Sequence, residues 1–254
     1  MTPPAYQPDR TLKGKLRRRA MRLMARRPAR RGPDRPLLSV TFDDIPASAA
    51  EAGAALLEAR GLRGGFYISA GLAGREGPMG RYAEGAAVRD LAARGHEIGC
   101  HTFSHLDCGR AGRAAVEADV AANGEALRAW GAPQPATFAY PYGDVAWAAK
   151  RALRDRFALL RTVQAGLVRR GGDLAQAPAV GVEGPDGEAV ARRWLRRAAA
   201  ERAWLILFTH DVAETPSPWG CTPAALSRLL DEALGAGFEV VTPAEGARLL
   251  GASA

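Results

Sequence analysis

This chain of 254 residues has little cysteine, little histidine and few aromatics, and each shortage narrows its chemistry. Three cysteines are an odd number in a long chain, which argues against a disulfide framework and fits a reducing compartment. Cys100 and Cys108 flank two histidines, but Cys100 abuts His101, a spacing unlike that of closed zinc sites. No apolar run approaches the ~20 residues of a membrane span. The first residues hold no apolar core of the ~7–15 residues that a signal peptide needs, so cytoplasmic residence is the expectation. Gly71-Leu72-Ala73-Gly74 lacks the lysine of a phosphate-binding loop. Internal repeats are absent.

Basic residues are plentiful but concentrated. Residues 1–36 carry 12 Lys or Arg against two acids, Asp9 and Asp34, a balance of +10 in a chain of net +8, so residues 37–254 sum to −2. A like-charge block of this kind reads as a disordered tail or as an interaction arm. Tyr6 is its only aromatic and no reading module is recognisable, which argues against a nucleic-acid partner. Leu12, Leu16, Ala20, Leu23 and Met24 recur at helical spacing among the arginines, the pattern of a basic helix lying on anionic lipid. The expected organisation is an arm over 1–36 and one catalytic domain over 37–254.

A content of 47% hydrophobic residues is enough for one full core. Apolar runs at Leu37–Phe42, Gly65–Ser69, Glu97–Cys100, Thr137–Tyr140, Ala158–Val163, Trp204–Thr209 and Phe238–Val241 read as strands. Amphipathic segments at Ala47–Arg60, Tyr82–Ala93, Arg113–Trp130, Val145–Arg156, Glu188–Ala200 and Pro223–Ala236 read as helices. This βα alternation predicts a parallel-stranded α/β barrel with its chemistry at the C-terminal strand ends.

Asp43 and Asp44 stand side by side where the first strand ends. Two adjacent carboxylates repel each other unless a cation or a proton intervenes, although Asp is also a good helix N-cap and a helix is expected next. His101 and His105 lie four residues apart, a spacing that on a helical turn brings both rings to one ion. With a strand-end carboxylate they would make a three-ligand site with positions left open for water and substrate. His210 ends the run Trp204–Thr209 and reads as a proton donor or acceptor, whereas His96 opens a strand and reads as a structural hydrogen-bonder.

Four segments then carry a family resemblance: Thr41-Phe42-Asp43-Asp44; Gly95 through His105; Phe138-Ala139-Tyr140-Pro141-Tyr142-Gly143; and Leu207-Phe208-Thr209-His210-Asp211. In this order they resemble the polysaccharide deacetylases of the NodB-like superfamily, over about residues 37–250, in the subgroup with the Phe-Ala-Tyr-Pro-Tyr-Gly third motif. The resemblance implies a distorted barrel of about seven parallel strands. It implies a divalent metal, commonly zinc, on Asp44, His101 and His105. Asp43 would be the general base, His210 the general acid, and the Tyr142 backbone N–H an oxyanion donor. Tyr140, Pro141 and Trp219 are candidates for contact with substrate, Trp219 as a wall against a sugar ring.

Two departures from the family pattern stand out. The arginine that in many members orients the base is Ala139 here, and Arg161 in the next strand is the first candidate to replace it. The Asp-x-x-Asp-Trp element that tunes the acid histidine cannot be found between residues 160 and 185, where Asp173 reads as a plain turn. The activity implied is metal-dependent removal of N-acetyl groups from amino sugars of a polysaccharide or glycoconjugate. Alternatives are deacylation of another acylated or lipid-linked sugar, as a formamide or an O-acetyl ester, and a non-catalytic sugar-binding role. The partners expected are an N-acetylated glycan and, through residues 1–36, the surface of an anionic membrane.

Overall fold

The computed structural model describes residues 19–252. Strand β1 (Leu37–Asp43) lies near the middle of the sheet and is buried along its whole length. Beside it run β2 (Gly65–Ile68), β5 (Glu97–Cys100), β6 (Thr137–Ala139) and β7 (Leu159–Arg161) on one flank, with β9 (Trp204–Thr209) and β8 (Val180–Gly181) on the other. All of these pairings are parallel, so seven strands in the order β7-β6-β5-β2-β1-β9-β8 form a half-barrel. The short β3 (Glu76–Gly77) and β4 (Gly80–Arg81) make a separate hairpin, and β10 (Glu239–Val240) pairs with the start of β1. The two-residue β8 is the one member of the half-barrel that has no counterpart among the expected strands.

The connections are helical. A π-turn at Ala49–Gly53 leads into α1 (Ala54–Glu58), followed by α2 (Gly85–Ala93), α3 (Arg113–Ala129), α4 (Trp147–Leu153), α5 (Gly187–Glu201), α6 (Pro223–Gly235) and α7 (Pro243–Leu249). Local chemistry sets several of their ends. Thr222 and Thr242 cap α6 and α7, each followed by a proline whose missing N–H is no loss at the first helical position. In α3 the buried Val116, Val120, Asn123, Gly124 and Leu127 recur at helical spacing, so one face packs on the sheet. None of the helices among the described residues is long and apolar enough to cross a membrane.

Strand parity decides what enters the barrel. Leu38, Val40 and Phe42 join the core under the helices, while Ser39, Thr41 and Asp43 alternate with them and face inward. Inside, the Trp204 indole N–H donates to Ser39 Oγ at 3.0 Å, Ser39 Oγ to Val241 O at 2.7 Å, and Thr41 Oγ1 to Leu207 O at 2.9 Å. Ser39 and Thr41 thus have their hydrogen bonds made beside an apolar cluster that includes Leu37, Trp204, Ile206 and Phe208.

Of the basic arm, residues 1–18 lie outside the described residues, and with them most of the helix expected from Leu12 onward. Residues 21–31 run along the body. The backbone N–H of Arg27 donates to Asp173 Oδ1 at 2.8 Å, and its guanidinium donates to Arg154 O and Ala158 O at 2.6 and 2.5 Å. The buried Lys150 ammonium donates to Met21 O, Asp173 Oδ2 and Gln176 Oε1 at 2.7, 2.6 and 3.0 Å. Asp173, expected to be a plain turn residue, is thus the centre of the knot that fastens this segment.

Candidate active site

Asp43 and Asp44 go different ways because the strand ends between them. Asp43 keeps the inward parity of β1, while Asp44 and Ile45 both adopt left-handed φ, 59° and 57°. Ile45 is β-branched and pays for that conformation, but it is buried in the core and its carbonyl accepts from Ala83 N at 3.0 Å, which pins the turn. The alternative that the pair caps the next helix is removed. The helical segment begins at Ala47 behind Pro46, whose carbonyl accepts from Ala49 N and Ala50 N at 2.9 and 3.3 Å.

Asp44, His101 and His105 converge. Their ligating atoms all lie within 4.8 Å of one another, with Asp44 Oδ1 3.6 Å from His101 Nε2 and 3.5 Å from His105 Nε2. Asp44 Oδ1 is buried and has no hydrogen-bond partner among the described residues, an orphan that a bound cation would satisfy. His101 Nδ1 lies 2.8 Å from Ala139 O, an acceptor that places the proton on Nδ1 and leaves the Nε2 lone pair facing Asp44. Burial lowers both imidazoles to about 4, so both are neutral and ready to ligate at neutral pH. The residues therefore fit one divalent ion, held by one carboxylate oxygen and two imidazole nitrogens.

The histidine pair is not on a helical turn, as its spacing suggested. Residues 101–106 form a loop in which Thr102 and His105 are left-handed, with φ of 61° and 56°. Asp119 of α3 holds the loop, accepting from Phe103 N at 2.6 Å, Ser104 N at 3.0 Å and Ser104 Oγ at 2.8 Å. The Tyr142 ring then packs edge-on against His105, with centroids 4.5 Å apart. Cys100 belongs to the core, where its sulfur accepts from Asn123 Nδ2 at 3.2 Å, and Cys108 is buried with it.

On one side of this set stands Asp43. The Arg161 Nη2 donates to its Oδ1, and the guanidinium, 0% exposed, lies between the rings of Tyr67 and Phe208 at 4.9 and 5.1 Å. Ala139 and Arg161 are register partners across β6 and β7, so the cation absent from position 139 arrives from the paired position one strand over. Burial by itself raises the Asp43 carboxyl, but Arg161, His101 and His210 together bring it below the ordinary value. Asp44, without an arginine, is raised by its burial.

On the other side stands His210. Its Nδ1 lies 3.1 Å from Glu183 Oε1 and 3.2 Å from Trp219 O. Burial disfavours its charge, yet the bond to Glu183 and the fields of Asp43 and Asp44 push it up to about 9. Glu183 follows β8 and was missed from sequence, where an aspartate was the residue sought. Its only signal was an acid two residues past a two-residue strand. Tyr140 and Pro141, expected to touch substrate, are both buried. Tyr140 is 1% exposed, packs on Phe138 and donates to Ala175 O at 3.3 Å, and Pro141 is buried beside it. Trp219 and Tyr142 remain exposed at the mouth.

Residues 30–156, half of the chain, match the model of the family described as polysaccharide deacetylase, and the chain belongs to that family. The fold is similar to that of the chitin deacetylase from the fungal pathogen Colletotrichum lindemuthianum, with a TM-score of 0.60 and 19% identity over 88% of this chain and 91% of that one. It is also similar to a family 4 acetyl xylan esterase from Clostridium thermocellum solved with a cobalt ion, at TM-score 0.57 and 20% identity over 84% and 91%. A third likeness is to a pseudoenzyme of the same esterase family from Bacillus anthracis, at TM-score 0.57 and 12% identity over 85% and 66%. At such identities the likeness shows the fold alone. No curated protein sequence matches the chain.

Proposed function

We propose that this chain is a metal-dependent deacylase that removes N-acetyl groups from amino-sugar units of a glycan or glycoconjugate. The observation that carries this reading is the orphaned Asp44 Oδ1 facing two neutral imidazoles, with a carboxylate base and a cationic acid on opposite flanks. Asp44, His101 and His105 would hold the ion, which when bound supplies Lewis acidity and an acidified water.

The chain's own groups do the rest. Arg161 occupies Asp43 Oδ1 and so leaves Oδ2 to receive the proton of the attacking water. The Tyr142 backbone N–H supports the oxyanion of the tetrahedral centre. Glu183 and the Trp219 carbonyl hold His210 by Nδ1, which leaves Nε2 to deliver a proton to the departing amine. Tyr142 and Trp219 offer aromatic faces to a sugar ring at the mouth.

The test is a release assay on protein reconstituted with zinc, cobalt or nickel, using N-acetylated, N-formylated and O-acetylated oligosaccharides. Acetate released from the N-acetylated sugars is the expected result. Formate or ester release alone would move the substrate to the other acylated sugars. Stoichiometric metal with no release from any of them would overturn the catalytic reading and leave a sugar-binding protein, a state for which the fold has a precedent in the pseudoenzyme from Bacillus anthracis.

A further inference from the structure

We infer that the flank of the half-barrel beside α4 is a docking surface for an anionic lipid bilayer. Residues 21–27 lie along α4, tied to it by Lys150 through Met21 O and by Arg154 O through the Arg27 guanidinium. Between those ties the chain makes a tight turn, Leu23 N and Met24 N both donating to Ala20 O. The turn pushes Leu23 and Met24 outward, 76% and 42% exposed, the former more than any other large apolar side chain described.

Exposed arginines stand on the same segment and on those that adjoin it. Arg22, Arg26, Arg151 and Arg170 are exposed, and no carboxylate among the described residues forms an ion pair with any of them. They lie on adjoining segments, since Arg26 Nη2 donates to Gly171 O at 2.6 Å and Arg151 is in α4. The Arg151 guanidinium sits 5.7 Å over the ring of Trp147, itself 38% exposed. Protruding aliphatic groups, an interfacial tryptophan and unpaired guanidinium groups are the components by which a protein surface sinks its apolar tip below anionic headgroups.

Charge complementarity selects the occupant. A neutral protein partner would leave these guanidinium groups unpaired, and a nucleic acid would leave Leu23 and Met24 without a use. The residues before Arg19 add Arg10, Lys13, Lys15, Arg17 and Arg18 to the same end of the chain. Trp147 opens α4 four residues after Gly143, so the flank begins in the chain segment that follows Tyr142.

Flotation of the full-length protein with vesicles of phosphatidylcholine, with and without phosphatidylglycerol, tests this without any turnover, so it stands or falls apart from the deacylase reading. Binding is expected only when phosphatidylglycerol is present. The double change Arg22→Glu with Arg151→Glu should lower partition at least ~10-fold. Leu23→Ser with Met24→Ser should lower it several-fold, with the circular dichroism of both variants unchanged. Equal partition onto neutral and anionic vesicles, indifference to either pair of substitutions, or retention on RNA with none on vesicles would overturn the inference.

Discussion

The corner of the barrel that holds the proposed base, Asp43, and the corner that holds the proposed acid, His210, solve one problem with different materials. At β6 and β7, Asp43 is steadied by Arg161, fully buried between two aromatic rings. At β8 and β9, His210 is steadied by Glu183, whose side chain is 26% exposed and stands on the segment after a two-residue strand. The support of Asp43 comes from the strand next to the expected one, whereas that of His210 lies within the expected stretch, 160–185, as a glutamate where an aspartate was sought. The lesson is that a buried support fixes geometry and folding together, whereas a half-exposed support tunes a proton with little claim on the fold.

Between the corners lies the set they share, and breaking it should have the largest effect. Asp44→Asn, measured by metal content and by acyl release, is expected to lose both, since it removes the carboxylate from a three-ligand set. Asp43→Asn should keep the metal and lose ~10²–10⁴ in rate, the range of general base catalysis. Equal loss of metal in the two variants would erase the division of labour between the neighbours.

Arg161→Ala comes next and strikes the base corner alone. It leaves a buried carboxylate unpaired, a change that costs about 3–5 kcal/mol of folding stability in comparable pairs, and it frees Asp43 to turn. Because Ala139 and Arg161 are register partners, the double variant Ala139→Arg with Arg161→Ala puts the guanidinium back from the other strand. Recovery of rate and melting temperature together would show that the support is a place in the barrel. Recovery of neither would show that the aromatic sandwich of Tyr67 and Phe208 is required for it.

The acid corner should respond through pH. His210 is held up to about 9 with Glu183 as its main support, so its protonated form is lost as pH rises through that value. In Glu183→Gln the loss should move down toward the ordinary histidine value of ~6.5, costing roughly 10–30-fold in rate near pH 8 and little near pH 6. Melting temperature should scarcely change, in contrast to Arg161→Ala. An alkaline limb unmoved by the substitution would mean that the Asp43 and Asp44 charges hold the proton without Glu183.

Arg161 was legible in the sequence because a lone cation at the end of Leu159-Leu160-Arg161, three residues buried together, needs a partner, and the vacant position 139 supplied the question. The parallel order of the strands was legible from the alternation of apolar runs with amphipathic segments. Glu183 was not, because Val180–Gly181 is too short to show a period of two and no pattern singles out the acid just beyond it. Asp119 was hidden for a different reason. It lies on the mixed polar face of α3, where its grip on Phe103 and Ser104 leaves no trace in the pattern. The burial of Tyr140 and Pro141 was not legible because the motif gives their identity and not their direction. Tyr140 follows Phe138 at a spacing of two, and parity sends both rings into the core under α4.

The smallest effect separates a side chain from its own backbone. Trp219 contributes its carbonyl to His210 and its exposed indole to the mouth, so Trp219→Ala keeps the first and removes the second. Loss of an aromatic face against a sugar should raise KM roughly two- to tenfold, with kcat and the alkaline limb unchanged. If kcat fell along with a shifted limb, the indole would be holding the loop that positions the carbonyl, and Trp219 would belong to the acid corner as a whole. The loop's other anchors argue for the first outcome. Asp211 accepts from Ser217 N at 2.7 Å and from Ser217 Oγ at 2.5 Å, and Cys221 N donates to Asp211 O at 3.0 Å, so the turn that presents the carbonyl is closed without the indole.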